Sequence, residues 1–445
     1  MKRLLIAALV CAASLSHAQV LPVREQARVI NEMLADRLDT VLPGLMQRTG
    51  IDMWVLVSRE YNEDPVLRTM LPAEWLNARR RTILVFHRNG STGAVEKMAI
   101  ARYDVGNGIK AAWDTKQFAQ QWDALAALIK ARNPAKIGIN TSVHYGHADG
   151  LDHTDYVELM QAIPASFKDR VVSADRLAVA WLETRTERDM QVYPQLVNAT
   201  HKIIDEGFSE QVITPGITTT DDVVWWFRQA IRDRGYDTWF HPTVSIQRMD
   251  GATADQASSF SARPKSNLIR PGDLLHVDIG ISYLRLQTDV QQHAYVLKPG
   301  ETDVPAGIRA AFGKASRLQD ILTGQFKAGR SGNEVLAGAL AQAKKEGIGA
   351  TIYTHPIGLH GHAAGPTIGM WDMQGGVPGS GDYPIFERTA YSIELNAETR
   401  VPEWNKDVRI MLEEDGYFDQ AGFRYISGRQ RAVHLIPRNA GGQID

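Results

Sequence analysis

The chain has a single cysteine, Cys11, among its 445 residues. That cysteine lies in an opening stretch where Lys2 and Arg3 precede an apolar Leu4 to Ala13 segment and a Ser16-His17-Ala18 end, which reads as a cleavable secretory leader over residues 1–18. Ala8-Leu9-Val10 before Cys11 fits a lipid-attachment box poorly. Cleavage therefore leaves no disulfide and no thiolate metal ligand, so stability has to come from burial. Long apolar runs are missing too: the leader's own is too short to span a bilayer. Charge of one sign is scarce. The formal net charge of -2 falls to -4 without Lys2 and Arg3, and Arg79-Arg80-Arg81 is the only short basic run. With no dense basic stripe, neither nucleic acid nor an anionic membrane is expected as a partner. The expected location is the periplasm or the medium, with no membrane contact after cleavage.

About 427 residues remain, enough for two or three domains. From Arg24 to about Arg48 apolar residues recur at helical spacing, and Ile51 to Val57 follows as a buried-strand pattern. Strands are expected at Thr82 to His87, Val95 to Tyr103 and Ile137 to Ile139, with a helix over Ala119 to Arg132. That alternation predicts an α/β domain over residues 19–175. A second domain, 176–445, opens with a long amphipathic helix from Thr186-Glu187-Arg188-Asp189 to about Glu210. Within it, Gly216 to Asp222 and Gly329 to Glu334 each place an acid three residues after a hydroxyl, the capping-box arrangement that marks a helix start. Their positions suggest a duplicated α/β unit. Trp225-Trp226, inside one of these helical patterns, reads as core, and His144, His147 and His153 read as exposed loop histidines.

The chemistry is concentrated between Leu274 and Phe418. Asp278 interrupts the apolar run Leu274-Leu275-His276-Val277-Asp278-Ile279, Asp289 follows eleven residues later, and Glu394 and Glu413 interrupt two further strand patterns. Between them stands Thr354-His355-Pro356-Ile357-Gly358-Leu359-His360-Gly361-His362. An acid inside an apolar strand must be satisfied by hydrogen bonds, an ion pair or a metal. Four carboxylates brought together repel one another unless cations balance them. Two divalent ions would do so, and oxygen-dominated ligation with one imidazole suits Mn²⁺, Co²⁺ or Zn²⁺.

Aspartates eleven apart in a V-D-I-G…T-D pattern, His355-x-Ile-Gly with His362 seven residues on, then Ile393-Glu394 and a final Glu, resemble the pita-bread metallopeptidases. This family contains methionine aminopeptidase, Xaa-Pro aminopeptidase and prolidase. Gly50 to Val57 resembles the N-terminal domain of creatinase and the prolyl peptidases. The resemblance implies a creatinase-like N-terminal domain followed by a pita-bread catalytic domain. It also implies that Asp278 chelates one metal, that Asp289 and Glu413 bridge both, and that His355 and Glu394 complete the other. Glu413 is preferred over Glu414 because it shares strand parity with Arg409 and lies nine residues before Gly422. His362 falls where the family places a substrate-facing histidine.

Two departures accompany the match. The family's further histidine, about seventeen residues before the first aspartate, is replaced by Ser261, and His362-Ala363-Ala364-Gly365-Pro366 lacks the usual acid. His241, in Phe240-His241-Pro242, is the candidate to supply the missing imidazole. The expected function is a dinuclear metal-dependent exopeptidase hydrolysing the N-terminal bond of short peptides, with proline following. The rivals are an Xaa-Pro dipeptidase and a peptide-binding member that lost the chemistry. Glu394 is the expected proton shuttle, and the resemblance implies a homodimer.

Overall fold

The computed structural model describes residues 20–250 and 266–438. The leader, Cys11 and Ser261 lie outside the described residues. A nearly continuous helical stretch opens the chain: α1 (Val23–Asp36), a π-helical turn over Arg37–Val41, and α2 (Leu42–Thr49), closed by Gly50 at φ +67°. Strand β1 (Met53–Arg59) is the middle of a six-stranded sheet. Its neighbours are β2 (Arg81–Arg88), β3 (Val95–Ala99) and β4 (Lys110–Ala111) on one side, and β5 (Ile137–Ile139) and β6 (Val171–Ser173) on the other. β1 is antiparallel to β2 and parallel to β5. Both faces of β1 are covered, which explains its unbroken apolar sequence. Trp54 and Leu56 pack with Leu42 and Met46 of α2, whereas Met53, Val55 and Val57 pack with Leu125 and Ile129 of α4 (Gln121–Arg132). The expected strand over Val95 to Tyr103 ends at Ala99.

Helix α3 (Pro65–Thr69) follows β1 and α5 (His153–Ala162) follows β5, and after β6 comes α6 (Asp175–Glu183), whose residues Leu177 to Glu183 are all buried. The core that holds α6 also takes in Ala364 and Tyr383 from the far end of the chain. A buried ion pair ties the first helical stretch to the next element: Arg37 Nη1 lies 3.0 Å from Asp189 Oδ2 and donates to the Thr184 carbonyl at 2.7 Å. Asp189 is the capping-box acid of α7 (Glu187–Gly207), so a single carboxylate serves both contacts.

The rest of the chain repeats one plan. In the first half, α7 packs on α8 (Thr220–Asp233), followed by antiparallel β7 (Thr243–Gln247), β8 (Leu274–Ile279) and β11 (Val290–Val296). A small hairpin, β9 (Ser282–Tyr283) with β10 (Leu286–Gln287), links the last two. In the second half, α9 (Ala306–Thr323) packs on α10 (Gly332–Lys345), followed by antiparallel β12 (Gly349–Ile352), β15 (Leu395–Val401) and β16 (Lys406–Leu412). The predicted capping boxes are both formed, Thr219 with Asp222 at α8 and Ser331 with Glu334 at α10. A further sheet runs β13 (His355–Ile357), β14 (Thr389–Ser392), β17 (Asp415–Asp419), β18 (Gly422–Tyr425), and β19 (His434–Ile436) closes the edge of β11. The halves are fused along a seam, since Ile357, Ala390 and Tyr417 of the second half lie in the hydrophobic cluster of the first. Trp225 departs from expectation. It is 57% exposed, because α8 turns Val223, Val224 and Phe227 inward and leaves that position on the outer face.

Candidate metal centre

The seam is where the acids converge. Gln291 of β11 and Glu413 exchange backbone hydrogen bonds at 3.0 and 3.2 Å, so β11 meets the end of β16. Among the five expected ligands only Asp278 and His355 lie inside strands. Asp289 precedes β11, Glu394 sits between β14 and β15, and Glu413 sits between β16 and β17. Breaks of this kind explain how acids within apolar runs reach one point: an unbroken strand sends alternate side chains to opposite faces, and a break re-aims one of them.

Three groups of donor atoms can each hold an ion: Asp278, Asp289 and Glu413; His355, Glu394 and Glu413; and Asp289, His355 and His362. His355 Nε2 lies 3.4 Å from Glu413 Oε1 and 3.7 Å from Asp289 Oδ2. Its Nδ1 is 2.9 Å from the Pro356 carbonyl, an arrangement that fixes the tautomer with Nε2 free for a metal. Asp278 Oδ1, Asp289 Oδ1 and His355 Nε2 are all buried without a hydrogen-bond partner. Such orphaned atoms are costly in a folded protein, and here they are the atoms a cation would take. Burial, and after it the charge of Glu413, holds the Asp278, Asp289 and Glu394 carboxyls well above the usual carboxylate range. The donor set therefore fits divalent cations.

Glu414, the alternative last ligand, points away. It accepts from His201 Nε2 at 2.6 Å and from Gln292 Nε2 at 2.9 Å on the opposite side of β11. Gln291, one residue earlier, faces the centre and donates to Glu394 Oε1 at 2.8 Å and Glu413 Oε2 at 2.7 Å. Gln291 Oε1 is in turn 2.8 Å from His276 Nε2, and Ser392 Oγ donates to Glu413 Oε1 at 2.7 Å.

His362 comes to the centre from a solvent-facing loop, its ring 4.8 Å from that of His355 and perpendicular to it. Burial, and then His355, hold its pKa down to about 4, so the ring is neutral at pH 7. Trp239 stacks edge-on against it at 5.1 Å. A Cβ on Gly280 or Gly361 would collide with the Trp239 ring, so the two glycines make the slot that this indole fills. His241 is drawn elsewhere. Its Nδ1 lies 3.1 Å from Arg228 Nη1 and its ring 5.1 Å from exposed Trp225, which places it against α8 and in none of the three donor groups.

Residues 195–413 match metallopeptidase family M24. Over that segment the chain resembles this family. The pita-bread arrangement extends to solved structures that cover the N-terminal half as well. An X-Pro aminopeptidase from Thermotoga maritima MSB8 superposes with TM-score 0.62 at 16% identity, covering 87% of this chain and 99% of that one. The Xaa-Pro dipeptidase from Bacillus anthracis gives 0.60 at 16% identity, covering 93% and 100%. Dipeptidase PepE from Mycobacterium ulcerans gives 0.60 at 16% identity, covering 94% and 100%. At these identities the likeness is one of fold. No curated protein matches the sequence.

Within this centre, several residues escaped the sequence reading. Tyr353 shares strand parity with His355, and its ring stands 5.7 Å from His355 and 6.1 Å from His362. Burial, and then the charges of Glu394, Glu413 and Asp289, raise its phenol, which keeps its proton. His147, set aside as a loop histidine, reaches across from the N-terminal half to stack 4.5 Å from His360. Gln291 had a visible signal, since Gln291-Gln292-His293 interrupts an otherwise apolar strand. Tyr353 had none, because an aromatic residue beside a strand has an ordinary structural explanation.

Proposed function

We propose that the chain is a dinuclear metal-dependent exopeptidase that removes the N-terminal residue from short peptides, with proline in the second position. The observation supporting this reading is the convergence of Asp278, Asp289, His355, Glu394 and Glu413 with orphaned donor atoms facing one another, beside a neutral histidine and a protonated tyrosine. Two divalent cations held there, with Mn²⁺ favoured and Co²⁺ or Zn²⁺ as alternatives, would supply an activated water and polarise the scissile carbonyl.

The chain's own groups divide the remaining work. Glu394 is held by Gln291 through Oε1, which leaves its second oxygen to accept the proton of the attacking water and pass it to the leaving amine. His362, neutral at pH 7, carries an N–H that can donate to the carbonyl oxygen as charge develops on it. Tyr353 brings a second donor to the same wall. Trp239 lines the cleft beside His362 and shields that hydrogen bond from water. The short-peptide preference, the homodimer and export to the periplasm belong to this reading as well; a monomer at all concentrations in sedimentation would remove the dimer.

Purified mature protein with Mn²⁺, incubated with a mixed peptide library and read by mass spectrometry, tests the assignment. Release of the first residue ahead of proline is the expected result. Cleavage confined to Xaa-Pro dipeptides would select the dipeptidase instead, and no cleavage by metal-loaded protein would remove the peptidase reading. Glu394→Gln should abolish turnover while the protein still folds.

A further inference from the structure

Behind the metal centre, on the far side of β11, lies a cavity of about 390 Å³ lined by His201, Lys202, Gln292, Arg429, Arg431 and His434. Gln292 lines it and Glu414 lies beneath the lining; they follow Gln291 and Glu413 by one position, so each pair divides between front and back. The acids at this site are already matched. Glu414 is fully buried and accepts from His201, from Gln292 and from the Gln430 backbone N–H at 2.7 Å. Asp205, also on the lining, pairs with Arg438 Nη1 at 3.0 Å.

The cations are not matched in the same way. Lys202 and Arg431 are exposed and have no acidic partner among the described residues. Arg429 pairs with Asp320 at 2.6 Å, its side chain is 6% exposed, and its Nε is buried without an acceptor. His434 Nε2 is 2.9 Å from Gln292 Oε1, which keeps the imidazole at the cavity wall. The loop carrying Arg429 and Arg431 turns at Gly428, at φ +83°; the Arg429 guanidinium is taken up by α9 through Asp320 and the Ser316 carbonyl, which leaves Arg431, with Lys202 of α7, as the lining's free cations. Unpaired cations and donors converging on a concavity whose acceptors are used up make a site for negative charge. Its volume is in the range of ordinary small-molecule sites, roughly 300–1,000 Å³.

We propose that this rear cavity binds a small oxyanion, a phosphate or a dicarboxylate, with Lys202 and Arg431 as its principal charge partners. Such a site is separate from peptide binding and does not depend on the peptidase reading. Isothermal titration calorimetry of the full mature protein, at ionic strength held constant with chloride, is the test, with inorganic phosphate in one arm and succinate in the other. Saturable binding of at least one anion is expected, weakened tenfold or more in Lys202→Ala/Arg431→Ala and retained in the charge-preserving Lys202→Arg/Arg431→Lys. Which arm binds tells phosphate from dicarboxylate. No saturable binding of either anion, or equal affinity in the alanine double variant, would overturn the proposal.

Discussion

At the residue scale, the proposed function divides the donors of the candidate metal centre into two kinds, those that a cation would take and those that would stay free for substrate. It puts Tyr353 in the second. Tyr353→Phe removes one hydroxyl and leaves the ring packed against His355 and His362. Loss of a donor aimed at developing charge lowers kcat more than it raises KM, so a fall of about tenfold to a hundredfold in kcat is expected, with KM and bound metal unchanged. Steady-state kinetics beside metal analysis would check this, and an unaltered kcat would show the phenol to be a spectator. The acids were legible in the sequence because a carboxylate inside an apolar run demands an explanation. Trp239 and Tyr353 were not, since a neutral aromatic side chain beside a strand demands none. His241 was read from a missing histidine, and the structure instead seats it on α8 beside Arg228.

At the scale of elements, patterns on both faces decided what could be read. The unbroken apolar β1 and the two capping boxes were legible because each is a local signature with one structural solution. The breaks that place Asp289, Glu394 and Glu413 between strands were not, because a strand and two strands flanking one re-aimed residue have the same alternation of residue types. The buried end of α6 gives a pH prediction. Burial pushes the Glu183 carboxyl up to about 7, against Arg48 and the Tyr383 hydroxyl, which lower it. The folded state thus holds the proton more tightly than the unfolded chain, so this group's contribution to stability is complete below about pH 4.5 and is lost as pH rises towards 7. Glu183→Gln keeps a partner for Tyr383 and removes the charge. The variant should gain on wild type between pH 5 and pH 8, by an amount on the order of 3 kcal/mol at most. Thermal melts of both proteins at the two pH values measure it, and a difference that does not change with pH would count against the buried charge.

For the whole molecule, the mixed α/β class was legible from the alternation of strands and helices, whereas the long-range contacts that hold the chain together were not. Contacts such as Arg37 with Asp189 and His147 with His360 join segments far apart in sequence, and no local pattern announces them. Metal should act on the molecule as a whole. Without a cation, Asp278, Asp289 and Glu394 are forced towards their protonated forms, so the metal-free protein loses stability as pH rises and those groups ionise. A bound cation favours the ionised forms, and the rise in melting temperature on adding Mn²⁺ is therefore larger at pH 8 than at pH 6. Differential scanning fluorimetry with Mn²⁺ and with chelator would show it, and equal shifts at both pH values would speak against a carboxylate cage.

The seam between the two catalytic halves carries one more consequence. Asp278 and Asp289 come from the first half, and His355, Glu394 and Glu413 from the second, so the cage works as a strain gauge across the joint. A change too small to unfold either half still alters the spacing between the two sets of ligands. Ile357 is fully buried in the first half's cluster while belonging to the second half's strand β13, two residues from His355. Ile357→Val removes one methylene, a cost of about 0.5–1.5 kcal/mol in stability. Because the same slack is transmitted to His355, the variant should lose affinity for Mn²⁺ while its circular dichroism spectrum stays that of the wild type, and metal occupancy would then report the fit of the two halves before any melting curve did.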